Sequence, residues 1–116
     1  MTSDILTTLP NKNAKRDYEI EICTDEFTCL CPGKPDQPDF ATLKIIYIPH
    51  EKIIELRSLK FYLYSYRNQE IYHEEATNKI LDDLVETCAP RSLRIIADWN
   101  IRGGIKTRVT VTYPDM

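Results

Sequence analysis

Cys31 opens the segment Cys31-Pro32-Gly33-Lys34-Pro35-Asp36-Gln37-Pro38-Asp39, which returns a carboxyl group shortly after a thiol. The thiolate is the nucleophilic form of cysteine, so a working Cys31 needs a lowered pKa or a nearby base. Asp39 can exchange a proton with whatever the sulfur attacks. Taken alone, a cysteine at the end of an element is more often a small hydrophobe. Cys29-Leu30-Cys31 is a C-x-C pair, and in an extended chain both sulfurs point to one face. A thioredoxin-type motif needs two intervening residues, so that chemistry drops out. A zinc site needs a second cluster of ligands; the chain offers only His50, His73, Cys23 and Cys88, and no metal is expected.

Other polar groups have spacings that fit a ligand or an ordinary surface equally well. His73-Glu74 opens a predicted helix, where adjacent side chains diverge and can meet different parts of one molecule. Packing and the helix dipole account for them just as well. Arg57 and Lys60 lie three apart on one helical face, a pair that can hold a phosphate through a fork and a point charge. A solvated face is the ordinary explanation. Arg102-Gly103-Gly104 offers a guanidinium beside exposed backbone N–H groups, or simply a hairpin turn. The chain has neither the G-x-G-x-x-G nor the G-x-x-x-x-G-K-[ST] motif, so no Rossmann or P-loop site is indicated.

The elements that must position these residues follow from periodicity. Residues 1–16 are polar and aperiodic and read as a flexible or loosely docked arm; residues 17–116 form a single domain. Tyr18 to Cys23 alternates apolar and acidic residues, as a half-buried strand does. Residues 31–39 contain three prolines and read as an ordered loop. Ala41 to Ile48 is a second strand. Leu56, Leu59, Tyr62 or Leu63, and Tyr66 mark one helical face; Ile80, Leu81, Leu84, Val85 and Cys88 mark another, closed by Pro90. Ser92 to Ile101 and Thr107 to Tyr113 are strands about a glycine turn. The order ββααββ predicts an α+β fold, a four-stranded antiparallel sheet with two helices on one face. Its two open edges favour pairing with further copies.

Composition narrows the class. The chain has 116 residues, 42% hydrophobic and 28% charged, which suits one soluble domain. A net charge of −3 gives no overall attraction to nucleic acid. The apolar runs are too short for a membrane span, and the N-terminus lacks the pattern of a signal peptide. A cytoplasmic protein with reduced thiols is expected, with no membrane partner.

Together and in this order, the motifs resemble the QueF family of nitrile reductases. Its signature E-[SL]-K-S-x-K corresponds to Glu55-Leu56-Arg57-Ser58-Leu59-Lys60. Further matches are Cys31-Pro32, Gln37-Pro38-Asp39-Phe40, Tyr66-Arg67-Asn68, His73-Glu74 and Arg102-Gly103-Gly104-Ile105. The resemblance implies the tunnelling fold, whose subunits join their sheets into an oligomeric barrel; two pentamers stack as a decamer, with active sites between subunits. It implies NADPH-dependent reduction of the nitrile of 7-cyano-7-deazaguanine to the amine, a step toward queuosine in tRNA performed on the free base. Cys31 would form a covalent thioimidate, Asp39 would donate a proton, and His73 would position substrate or relay protons. Ile54, Glu55, Leu56, His73 and Glu74 would bind the substrate; Arg57, Ser58, Lys60, Arg102 and Gly103 would bind NADPH. Two alternatives accompany it: a related amidinotransferase that adds ammonia to the nitrile, and a non-catalytic member of the fold that binds a pterin or purine.

Overall fold

The computed structural model describes residues 2–115, so Met1 and Met116, the outer bounds of the two predicted segments, lie outside the described residues. A short 3₁₀ turn at Thr2–Ile5 precedes strand β1 (Thr8–Pro10), then β2 (Ile20–Cys31), β3 (Lys34–Ile48) and β4 (Lys52–Ile54). Helices α1 (Leu56–Tyr64) and α2 (His73–Cys88) follow, and β5 (Ser92–Arg102) and β6 (Ile105–Tyr113) complete the chain. The main sheet is antiparallel in the order β2-β3-β5-β6, and β1 and β4 form a separate pair.

One face of the main sheet carries the core. Leu43, Ile45 and Tyr47 on β3 stand opposite Ala97, Ile95 and Leu93 on β5, all buried. Tyr62 of α1 and Ile80 and Leu84 of α2 are also fully buried in this cluster. Burying each such side chain contributes roughly 1.5–3 kcal/mol. Helix α1 begins where Glu55 caps it, one carboxylate oxygen accepting from Arg57 N and the other from Ser58 N, each at 2.8 Å. Those bonds hold the Glu55 carboxyl below its ordinary pKa. Tyr62 donates to Asp83 at 2.5 Å and is 2.8 Å from the Tyr66 hydroxyl, while Lys79 pairs with the same carboxylate at 3.1 Å. This network joins the two helices and satisfies two buried phenols.

Two expectations are refined. Of the N-terminal arm read as flexible or loosely docked, residues 8–11 are docked: Thr8, Leu9 and Pro10 pair with Ile54, Ile53 and Lys52, and Asn11 bonds to the backbone of His50 and Glu51. A three-residue strand with few apolar residues leaves no periodic signal, so its pairing is invisible in the sequence. The segment 31–39 is a hairpin tip rather than a loop, with Lys34 onward belonging to β3. Its prolines are tolerated because β3 meets β5 only from Ala41 on, leaving residues 34–40 paired on one side alone.

Two β-bulges fix which side chains face the core. Thr24 pairs with Leu43 but Phe27 with Ala41, so β2 carries one extra residue at Asp25-Glu26. The inward set therefore changes from Ile20 and Ile22 to Phe27 and Cys29. Trp99 pairs with Thr107 but Arg102 with Ile105, a matching insertion in β5. Gly103 and Gly104 then close the hairpin with φ of 57° and 78°, a two-residue turn that needs positive φ at both positions.

Helix α2 ends at Ala89, whose φ of 44° puts an alanine in the left-handed region that glycine adopts at no steric cost. Ala89→Gly is expected to raise unfolding stability by about 1 kcal/mol, the relieved strain outweighing the greater freedom of the unfolded chain. A denaturant titration at constant m-value checks this, and an unchanged or lowered midpoint would refute it.

Candidate active site

Asp39 is the centre of the site. It is 8% exposed, on the core face of β3 in register with Cys29 of β2. Its Oδ2 lies 3.2 Å from His73 Nε2 and its Oδ1 lies 3.4 Å from Arg102 Nε. The Arg102 guanidinium also donates through Nη2 to the carbonyl of Pro38. Thr28 Oγ1 donates to the Asp39 carbonyl at 2.7 Å, which fixes the backbone at this point. A buried carboxylate is thus paired on both oxygens, as burial of such a group requires.

Each partner reaches Asp39 for a local reason. The bulge in β5 turns Arg102 onto the face of Trp99, toward Asp39. His73 is brought in by the segment before α2, which runs beside β2. Leu30 N donates to Gln69 O at 2.8 Å, and Ile71 N donates to Leu30 O at 3.1 Å. The imidazole then stacks on Trp99, ring centroids 4.0 Å apart and planes 2° from parallel. Phe27 meets the same indole edge-on at 5.8 Å.

The two neighbouring thiols are unlike. Cys29 is fully buried, and its thiol is pushed up to about 12, first by burial and then by the charges of Asp39 and Cys31. It cannot supply a thiolate near neutral pH. Cys31 lies two residues along, just past a register shift at the hairpin tip, where Leu30 pairs with Pro38 but Cys31 with Lys34. It is only half-buried and is a free thiol. Glu74 is exposed in the first turn of α2, beside His73.

The predicted residues therefore fall into two groups. Asp39, His73 and Arg102 converge, Glu74 follows His73 on α2 and Gly103 follows Arg102 in the turn, while Cys31 ends β2 at the same end of the sheet, paired with Lys34. Ile54 to Lys60 lie elsewhere, at the start of α1. There a groove of about 630 Å³ runs between α1 and the Ile22–Phe27 stretch of β2; Leu56, Lys60, Tyr64 and Arg67 line it, and none of Cys31, Asp39, His73 or Arg102 does. Glu55 uses both oxygens as a helix cap. Ser58 is buried, its hydroxyl accepting from Thr7 N and donating to Glu55 O. Arg57 and Lys60 are exposed, and neither pairs with a carboxylate among the described residues. Also among the described residues, no group of three or more His, Cys, Asp or Glu is placed to hold a metal, and no helix is long and apolar enough to cross a membrane. Trp99 and Thr28 went unremarked in the sequence. Trp99 is the single tryptophan, in phase with the apolar face of β5 and three residues before Arg102, which is the signal that marks it.

The model of the QueF-like protein family matches residues 38–116. The chain belongs to that family. Among its QueF-family relatives, the NADPH-dependent 7-cyano-7-deazaguanine reductase of Thermomicrobium roseum is 60% identical over 108 residues, covering 93% of this chain and 84% of the relative. The enzyme of the same description from Nitrosococcus oceani is 53% identical over 108 residues (93% and 83% coverage). That of Chloroherpeton thalassium is 48% identical over 113 residues, 97% of each chain. A crystal structure of the archaeosine synthase QueF-Like in the apo form matches with a TM-score of 0.75 at 21% identity, over 81% of this chain and 91% of that one. At that identity the likeness is one of fold: α+β, antiparallel, with two helices.

Thiol labelling tests the contrast between the cysteines. At pH 8 in the folded protein, Cys23 and Cys31 are expected to react, while Cys29 and Cys88 stay unmodified because burial pushes their thiols up to about 12 and about 11. All four should label after unfolding, as read by peptide mass. Labelling of Cys29 in the folded state would contradict its burial.

Proposed function

We propose that this QueF-family chain is an NADPH-dependent 7-cyano-7-deazaguanine reductase, working through a covalent adduct on Cys31. The reading is carried by one arrangement, the buried Asp39 carboxylate between His73 and Arg102, in register with Cys29, two residues before Cys31. The named relatives, identical at up to 60% of positions, supply the substrate and the cofactor.

The Cys31 thiol gives its proton to the Asp39–His73 pair, and the thiolate attacks the nitrile carbon. One C≡N electron pair moves to nitrogen, where Asp39 delivers a proton, so the thioimidate forms with no net gain of protons. Arg102 holds Asp39 in place while its proton content changes. When bound, NADPH would supply two hydrides in succession, and two protons drawn from solvent through the Asp39–His73 pair would complete the imine-to-amine conversion and return Cys31 as the thiol. Glu74 accepts hydrogen bonds from the guanine-like edge of the substrate, and His73 orients it. Arg57 and Lys60, which pair with no carboxylate among the described residues, fit the phosphates of NADPH, as does the free part of the Arg102 fork beside the Gly103 backbone. Ser58, with its hydroxyl already engaged, keeps this segment in shape. Ile54, Glu55 and Leu56 border the purine from a neighbouring subunit.

That last assignment requires assembly. The α1 groove and the Asp39 cluster lie on different stretches of β2, and both outer strands, β2 and β6, leave long edges for another copy. Joining sheets edge to edge gives the barrel, as two stacked pentamers, with sites between subunits. The substrate is the free base, on a path to queuosine in tRNA within the cytoplasm; a net charge of −3 suits a small molecule better than nucleic acid.

Incubating the protein with the nitrile and NADPH is expected to consume two NADPH per amine formed, with the product identified by mass. Without NADPH, a thioimidate adduct should accumulate on Cys31. Cys31→Ala should abolish the adduct, Cys29→Ala should retain it, and Asp39→Asn should slow it by roughly 10²–10⁴-fold. An adduct with no NADPH oxidation would sink the reductase reading and favour ammonia addition.

A further inference from the structure

Trp99 has no place in the chemistry above, yet it is the largest surface that His73 meets. The indole is 1% exposed, and its face lies parallel to the imidazole at 4.0 Å. Its Nε1 has no hydrogen-bond partner among the described residues. Packing alone therefore holds the ring, with Phe27 against it edge-on and Ala41 opposite in register. Leaving an indole N–H buried and unpaired carries a desolvation cost that phenylalanine at this place would not incur. What the larger ring offers in return is a broad flat face under His73.

That face constrains the one freedom His73 retains. The backbone of His73 is fixed by the start of α2, where Thr77 Oγ1 donates to its carbonyl at 2.8 Å. The second torsion of a histidine side chain is otherwise broad, so helix position does not decide where Nε2 points. Stacking on Trp99 sets the plane of the ring, and within that plane Nε2 meets Asp39 Oδ2 at 3.2 Å. The same face stabilises the imidazolium whenever His73 holds the proton, as an indole does for a cation over its ring.

We infer that Trp99 is a positioning residue of this active site, acting through His73 by holding the imidazole in the plane that directs Nε2 at Asp39. The inference rests on the proposed adduct chemistry for its rate consequence and on the stacked geometry alone for its structural one. It predicts that an aromatic ring is needed at position 99, and that the need disappears once the imidazole is removed.

A double-mutant cycle on the full-length protein, read as the rate of thioimidate formation without NADPH, tests this. Trp99→Leu is expected to slow the adduct at least about tenfold, the scale of a misplaced proton-transfer group. Trp99→Phe should stay within about threefold of the parent. In a His73→Gln background, Trp99→Leu should cost less than about twofold, because the group it positions is gone. Equal losses in both backgrounds would mean a general packing defect and overturn the inference, as would no loss in either. Should Trp99→Leu not fold, Trp99→Met takes its place, since methionine fills irregular gaps. Histidine NMR of the isotope-labelled protein gives a readout independent of activity. The chain has only two histidines, and His50 is exposed. The His73 ring signals should lie upfield of those of His50, stay there in Trp99→Phe, and move toward His50 in Trp99→Leu. Signals unmoved by Trp99→Leu would overturn the inference. If the parent protein forms no adduct but these shifts appear, the reductase reading fails while the positioning of His73 stands.

Discussion

Side chains on a strand alternate between its two faces, so one inserted residue exchanges every side chain beyond it. This chain uses that constraint twice. On β2 the insertion at Asp25-Glu26 turns Phe27 and Cys29 inward. On β5 the insertion after Trp99 brings Arg102 onto the face that Trp99 already occupies. Without the first, Phe27 and Cys29 would lie on the far side of the sheet from α2; without the second, Arg102 would point away from Asp39. The convergence of carboxylate, imidazole and guanidinium depends on these two shifts. A buried carboxylate then holds the group together electrostatically, because Asp39 needs both His73 and Arg102 to remain where it is.

Much of this was legible because period-two and period-three-to-four patterns are strong in the elements that build the core. Leu43, Ile45 and Tyr47 alternate cleanly, and both helices carry continuous apolar stripes, so the four long strands and two helices are readable. The bulges were not. Asp25-Glu26 is polar and exposed, which looks the same whether the strand continues, bends or ends. The N-terminal strand escaped for a different reason, since Thr8 to Pro10 is too short to show a period and is defined by its partner Ile53 rather than by its own residues. Prolines at 35 and 38 suggested a loop because a central strand excludes them; the tip of β3, paired on one side, does not.

For the site, the sequence gives identities more readily than company. Cys31 and Asp39 stood out as chemistry-bearing types, and the resemblance joined them to His73-Glu74. The contact of Arg102 with Asp39 runs against the simple reading of Arg102-Gly103-Gly104 as a phosphate-binding turn, because part of the guanidinium fork is already spent on the carboxylate and on Pro38. Five N–H donors leave room for a second partner, so the contact with Asp39 does not exhaust the guanidinium. The cap formed by Glu55 is likewise double-sided. It accounts for the carboxylate within the chain, while the cations that follow it, Arg57 and Lys60, are left facing outward.

The distribution of committed and uncommitted groups says how such a small chain can build a complete site. Residues whose polar atoms are satisfied internally (Glu55, Ser58, Thr28) set the backbone of the two regions. Residues with spare capacity, namely Cys31, Glu74, Arg57, Lys60 and part of Arg102, lie at the sheet end or on the exposed side of α1. A 116-residue domain has one core and few concave surfaces, and here the groove and the thiol occupy separate stretches of the same strand. Exposed Ile101 and Ile105, at 61% and 70%, extend the unpaired end of the sheet beside Arg102. Apolar side chains there are costly for an isolated chain and are useful to one whose site is finished by another copy. The open edges of β2 and β6 and the separation of the α1 groove from the Asp39 cluster are thus the two structural features on which the proposed assembly of several copies rests.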